Sequence, residues 1–150
     1  MLKPRALEPG SRLALIAPAS PFDREEFDRG VEEVRRLGFE PVYDPSVFAR
    51  EGYVAGNAQL RAAAFRRAWS DPDIDGLIAV RGGYGSAQVL PLISIEEIRR
   101  TPKVFLAYSD VTAMLTYITL HAGLVTFHGP MIDRRLSHGA AGFDLDSFDR

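Results

Sequence analysis

The 150-residue chain contains no cysteine. That excludes disulfides, thiolate metal ligands and cysteine nucleophiles, and it suits a reducing compartment. Lysine is scarce as well: Lys3 and Lys103 are the only ones, so the positive charge is almost all arginine. Neither sign of charge dominates, with 18 basic and 20 acidic residues and a formal net charge of −2. Such a balance provides no global attraction to nucleic acid or to an anionic membrane. Long apolar runs are missing too. The longest, such as Leu13 to Pro18 and Val104 to Ala107, are far too short to span a bilayer. Met1 to Gly10 carries Pro4, Glu8 and Pro9 where a secretory signal needs an apolar stretch. The expectation is a soluble, cytoplasmic protein with neither nucleic acid nor membrane as partner.

What is present is ordinary for a globular domain: 46% hydrophobic and 25% charged residues. At roughly 150 residues per domain this is about one domain, large enough to bury a core without disulfide or metal staples. Strand and helix signals alternate. Arg12 to Ala17 reads as a buried strand, and Ser20-Pro21 as a helix start, with Ser20 as cap and Asp23, Glu25 and Glu26 near the positive dipole end. Phe27, Val31, Val34 and Leu37 keep helical spacing up to Gly38, and Phe39 to Tyr43 is a second strand. Asn57 caps a helix to about Trp69, with Leu60, Ala64, Phe65, Ala68 and Trp69 inward. Gly76 to Val80 is a third strand, followed by short helices around Ser86 to Leu92 and Ile95 to Arg100. Val104 to Ala107 is a fourth strand, Val111 to His121 a helix stopped by Gly123, and Leu124 to Phe127 a fifth strand. Phe143 to Arg150 begins another amphipathic helix. Strands joined through helices imply an α/β fold, a mostly parallel sheet covered by helices on both faces. Ligands of such sheets bind beyond the carboxyl ends of the strands. The unusual residues all follow strands: Pro18-Ala-Ser20, Arg81 to Gly85, Tyr108 to Asp110 and His128 to Pro130.

Two of these corners carry chemistry. Ser109 sits at a strand-to-helix junction between small residues, Ala107 and Ala113. A nucleophile elbow has that geometry: the turn lifts Oγ out of the sheet, and the helix behind it aims N–H groups at the same place. A serine at a helix start also commonly just caps it. Arg81-Gly-Gly-Tyr-Gly85 holds three glycines in four positions, more than a tight turn needs. The loop suits either N–H donation to an oxyanion or a phosphate cradle, although neither the dinucleotide fingerprint nor a Walker lysine pattern is matched. Among the histidines, none has metal-ligand spacing. His121 reads as a helix-end charge, His128 as a substrate contact or a brace for Gly129-Pro130, and His138 as solvated. The Arg35-Arg36, Arg66-Arg67 and Arg99-Arg100 pairs read as solvated helix faces.

Ile16-Ala-Pro-Ala-Ser20, Arg81-Gly-Gly-Tyr-Gly85, Tyr108-Ser-Asp-Val-Thr112 and His128-Gly-Pro130 together resemble the N-terminal domain of the serine LD-carboxypeptidases. That family includes the murein tetrapeptide carboxypeptidases and the microcin C immunity peptidases, and the likeness runs from about residue 9 to 130. The resemblance implies a three-layer sheet of flavodoxin-like or class I glutamine amidotransferase-like form, completed by a smaller C-terminal domain, often in a homodimer. It implies Ser109 as nucleophile and the N–H groups of Gly83 and Asp110 as oxyanion hole, with no metal or other cofactor. Arg81, Gly82, Tyr84 and His128 would line the substrate, a muropeptide or related peptide that loses a terminal D-alanine during cell-wall recycling. Two departures stand out. Ala107 replaces the glycine usual two residues before the serine, and the family's glutamate and histidine belong to the C-terminal domain. The 150 residues are therefore expected to be a domain with half an active site, inactive alone. The competing expectations are a phosphate- or nucleotide-binding module using the Arg81 to Gly85 loop and a degenerate, non-catalytic domain.

Overall fold

A computed structural model describes residues 1–149. Five strands form one parallel sheet: β1 (Arg12–Ile16), β2 (Glu40–Val42), β3 (Gly76–Ala79), β4 (Val104–Ala107) and β5 (Phe127–His128), in the order β2-β1-β3-β4-β5. The helices are α1 (Arg24–Arg36), α2 (Ala58–Ser70), α3 (Ile95–Arg100), α4 (Thr112–Ala122) and α5 (Leu145–Phe148). Short 3₁₀ turns fill Pro45–Phe48, Ser86–Leu92, Ser109–Val111 and Leu136–Ala141. No helix among the described residues is long and apolar enough to cross a membrane.

The central strands are apolar without a break because both faces of the sheet are covered. Side chains alternate between faces with period two. Ala14, Ile16, Leu77, Ala79, Phe105 and Ala107 therefore enter one core, with Phe65 and Trp69 of α2, Ile98 of α3 and Met114 and Ile118 of α4. Leu13, Leu15, Ile78 and Val80 enter the other, with Phe27, Val31 and Val34 of α1 and with Ile132 and Leu136. Register pairs Leu13 with Gly76 and Ile16 with Ala79, then Gly76 with Val104. The chain runs out from β1 to the edge strand β2 and returns on the other side as β3. The crevice at that reversal lies between the carboxyl ends of β1 and β3, where Pro18 to Ser20 and Arg81 to Gly85 emerge.

Three boundaries differ from the sequence reading. Ser20 does not cap α1. Asp23 does, its side chain accepting from Glu26 N–H, because the Ser20 hydroxyl is engaged elsewhere. The fifth strand is Phe127–His128 rather than Leu124 to Phe127: Leu124 bridges to Leu2 instead, with Leu2 N–H donating to Gly123 O and Val125 N–H to Leu2 O. The expected last helix is the single turn α5, capped by Asp144, and Arg150 lies outside the described residues.

Candidate active site

Ser109 lies one residue past β4, after Tyr108, and has φ +60. An L-residue with a side chain rarely adopts that left-handed conformation. The strain is what a strand that must turn at once into a helix imposes on the residue at the corner. Capping is not what the hydroxyl does: the turn from Ser109 and helix α4 both start without a side-chain cap. Ala107 has no left-handed backbone, since Ser109 and Arg134 are the only non-glycine residues with positive φ among those described. The alanine in place of glycine therefore carries no conformational penalty.

The glycine loop is pressed against this corner. A Cβ on Gly82 would stand 2.9 Å from Ser109 Cβ, 3.0 Å from its Oγ and 3.3 Å from Asp110 N. Only a residue without a side chain allows that approach. Gly83 (φ +92) and Gly85 (φ +106) are both left-handed. The Gly83 N–H has no acceptor among the described residues. Asp110 lies in the first turn after the strand, where a helix has no acceptors for its own N–H groups. The candidate nucleophile and both candidate oxyanion donors, Gly83 and Asp110, thus share one corner.

The phosphate-cradle reading fares worse. The N–H of Ser86, at the start of the turn after the glycines, donates to Asp110 Oδ2 at 2.9 Å, and Ser86 Oγ donates to Asp110 O at 2.7 Å. A carboxylate already occupies the place an anion would take and repels a second one.

Arg61 is the residue that sequence reasoning missed. It is 3% exposed. Its guanidinium donates to Pro18 O (2.8 Å), Gly56 O (2.9 Å), Gly85 O (2.8 Å) and Gln88 Oε1 (2.7 Å), tying together the loops around the crevice. Burial lowers its pKa, and the charges of Asp110 and Glu51 oppose that. The signal was there: Arg61, Phe65 and Trp69 lie four residues apart, on one helix face, so the arginine interrupts an apolar stripe.

Arg81 is partly exposed, its Nε 3.7 Å from Asp133 Oδ2. Tyr84 is exposed at the loop tip. His128 is exposed on the edge strand, its ring 6.2 Å from that of Tyr108. Both lie at the same carboxyl edge as Ser109. His121 and His138 lie elsewhere. The His121 carbonyl accepts from Arg99 at 2.6 Å, and His138 stands 3.6 Å from Glu26. The arginine pairs are less passive than solvated faces: Arg66 of α2 forms a bidentate pair with Glu97 of α3 (3.1 and 2.8 Å), and Arg99 holds the last carbonyls of α4.

The chain is similar to known proteins both in sequence and in fold. A family model described as the LD-carboxypeptidase N-terminal domain matches residues 13–129. A Streptomyces coelicolor protein that carries the name of a carboxypeptidase is 38% identical over 149 residues, 97% of this chain and 46% of its own length. The murein tetrapeptide carboxypeptidase of Pseudomonas aeruginosa is 31% identical over 121 residues, 80% of this chain and 39% of its own. Among solved structures, the wild-type apo form of the microcin C7 self-immunity protein MccF superposes with a TM-score of 0.88 at 30% identity, covering 91% of this chain and 42% of that one. The chain therefore spans less than half the length of the relatives it matches.

Proposed function

The chain belongs to the LD-carboxypeptidase family, whose N-terminal domain it matches, and we propose that it supplies the nucleophile of a serine carboxypeptidase. The carrying observation is the left-handed Ser109 with Gly82 packed on its side chain and two N–H donors beside it. In the proposed reaction Ser109 Oγ attacks the carbonyl carbon of an L,D-peptide bond. Its proton passes to a histidine base. That base and a glutamate come from a second domain, as the family resemblance implies. The tetrahedral oxyanion accepts from Gly83 N–H and Asp110 N–H, which makes the charge affordable in a dry site. Collapse breaks the C–N bond, the base returns the proton to the departing amine of D-alanine, and water then hydrolyses the acyl ester on Ser109. Arg81, its charge shared with Asp133, faces the free carboxylate of the leaving residue. Gly82 gives the substrate close access, and Tyr84 and His128 line its flanks. The substrate class, a murein tetrapeptide, is supported by the names of relatives: murein tetrapeptide carboxypeptidase, and muramoyltetrapeptide carboxypeptidase for a structure from Oxalobacter formigenes.

The test is a fluorophosphonate probe on the two-domain enzyme and on its Ser109→Ala variant. Labelling and release of D-alanine are expected in the first and lost in the second. Labelling that survives the substitution would sink the serine reading.

A further inference from the structure

The oxyanion donor Gly83 does not hold itself in place. We propose that Ser20 is its positioning residue: the Ser20 backbone N–H and hydroxyl fix the peptide planes on either side of Gly83 and thereby aim its N–H at the space over Ser109. This inference rests on the oxyanion role proposed above and assigns the residue that makes that role work.

Ser20 N–H donates to Gly82 O at 3.0 Å. That carbonyl and the N–H of Gly83 belong to one planar trans peptide, so they point in opposite directions. Holding the oxygen toward Ser20 turns the Gly83 N–H away from it. The next plane is held by the hydroxyl: Tyr84 N–H donates to Ser20 Oγ at 3.0 Å. The same Oγ donates to Tyr53 O at 2.9 Å. A hydroxyl has one proton, and with that proton committed to Tyr53 its lone pairs are left for Tyr84. The acceptor role is therefore enforced by the Glu51–Val54 turn, which is closed by its own pair of backbone bonds and by Ala55 N–H on Ala19 O. Between the two anchors Gly83 keeps φ +92, and a Cβ there would collide with Ser20 Oγ and stand 2.7 Å from its Cβ. Glycine and serine are thus fitted to each other, and the loop approaches Ser20 as closely as a backbone can. The unusual commitment of both polar groups of one residue to one loop also explains why Ser20 leaves the capping of α1 to Asp23.

The experiment compares the two-domain enzyme with Ser20→Ala, and with Ser20→Cys, a near-isostere whose sulfur is a weak acceptor. With the donor no longer aimed, kcat is expected to fall about 10- to 100-fold while KM changes less than about threefold. Affinity for a peptide boronic acid, which mimics the tetrahedral intermediate, should fall by the same factor as kcat, with Ser20→Cys between Ser20→Ala and wild type. Affinity for the product D-alanine should stay within about twofold, because it carries no atom of the attacked carbonyl group. Equal losses for boronate and product would mean general damage and overturn the proposal, as would kcat and boronate affinity within twofold of wild type in both variants. Ser109→Ala serves as the reference. If it abolishes turnover while Ser20→Ala does not slow it, only the role of Ser20 falls. If Ser109→Ala retains turnover and probe labelling, the oxyanion reading falls and takes Ser20 with it.

Discussion

Asp133 is 2% exposed, and its Oδ2 has no hydrogen-bond partner. Burial pushes its carboxyl up from 3.8 to about 6, with Arg81 and Arg134 pulling down and Glu26 pushing the same way as burial. Between those two values the folded protein still holds a proton that the unfolded chain has released. Native stability therefore falls as pH rises through roughly 4 to 6, and the cost is fully present above that window. A shift of this size corresponds to at most about 3 kcal/mol, less whatever Arg81 loses without its partner. Asp133→Asn is expected to gain roughly 1–2 kcal/mol at pH 7.5 and almost nothing at pH 4, measured by urea denaturation at both. An equal gain at the two pH values would exclude the carboxylate as its origin. Asp133 was not legible as a buried charge, because its burial depends on segments that pack on it from far along the chain, whereas Arg61 at least left a local mark by interrupting the Phe65 and Trp69 stripe of α2. Ser109 was legible for the opposite reason. A serine between small residues at a strand-to-helix corner is a local arrangement, and the structure adds a φ of +60 at that corner.

Helix α1 shows packing overruling local propensity. Gly30 lies in its interior, where alanine would be favoured by about 1 kcal/mol. A Cβ at Gly30, however, would stand 2.5 Å from Ile132 Cγ2 and 2.7 Å from Ile132 O. The methyl group of Ile132 can turn aside, but its carbonyl belongs to the backbone and cannot. Gly30→Ala is therefore expected to destabilise by about 1–3 kcal/mol. Chemical denaturation checks the sign, and a stabilised variant would show that α1 is free to move off the 132 segment. The same competition decided which element boundaries could be read in advance. Asn57 caps α2 as expected, its side chain accepting from Leu60 N–H, because cap and helix are adjacent in sequence. Ser20 met the same local criterion and failed as a cap, since Tyr53 and Tyr84 claim its hydroxyl. The apolar run Leu124 to Phe127 was correctly extended, but its first residues pair with Leu2 at the far end of the chain. Only Phe127 and His128 reach β4, opposite Leu106 and Ala107.

At the scale of the whole molecule, the proposed site has oxyanion donors but no base beside them among the described residues. The parallel sheet brings the ends of β1, β3 and β4 to one edge, where Ser109, Gly83 and Asp110 converge. Among the described residues no histidine is poised there to take the Ser109 proton: His121 is at the far end of α4, His138 faces Glu26, and the His128 ring packs toward Tyr108. A serine hydroxyl is a weak nucleophile at its own pKa and needs an adjacent base. Serine proteases stripped of triad members keep only what the oxyanion hole and binding supply, with kcat lower by about 10⁴- to 10⁶-fold. The 150 residues alone are accordingly expected to release D-alanine from a murein tetrapeptide at least about 10⁴-fold more slowly than a two-domain enzyme. Binding should suffer less, because the loops tied by Arg61 and Ser20 are complete within this chain. Turnover of the chain measured beside that of the two-domain protein, with peptide boronate affinity recorded for both, separates the two contributions. A chain that turned over within tenfold of the larger protein would require a base among its own residues, and His128, exposed on the same edge, would be the first to substitute.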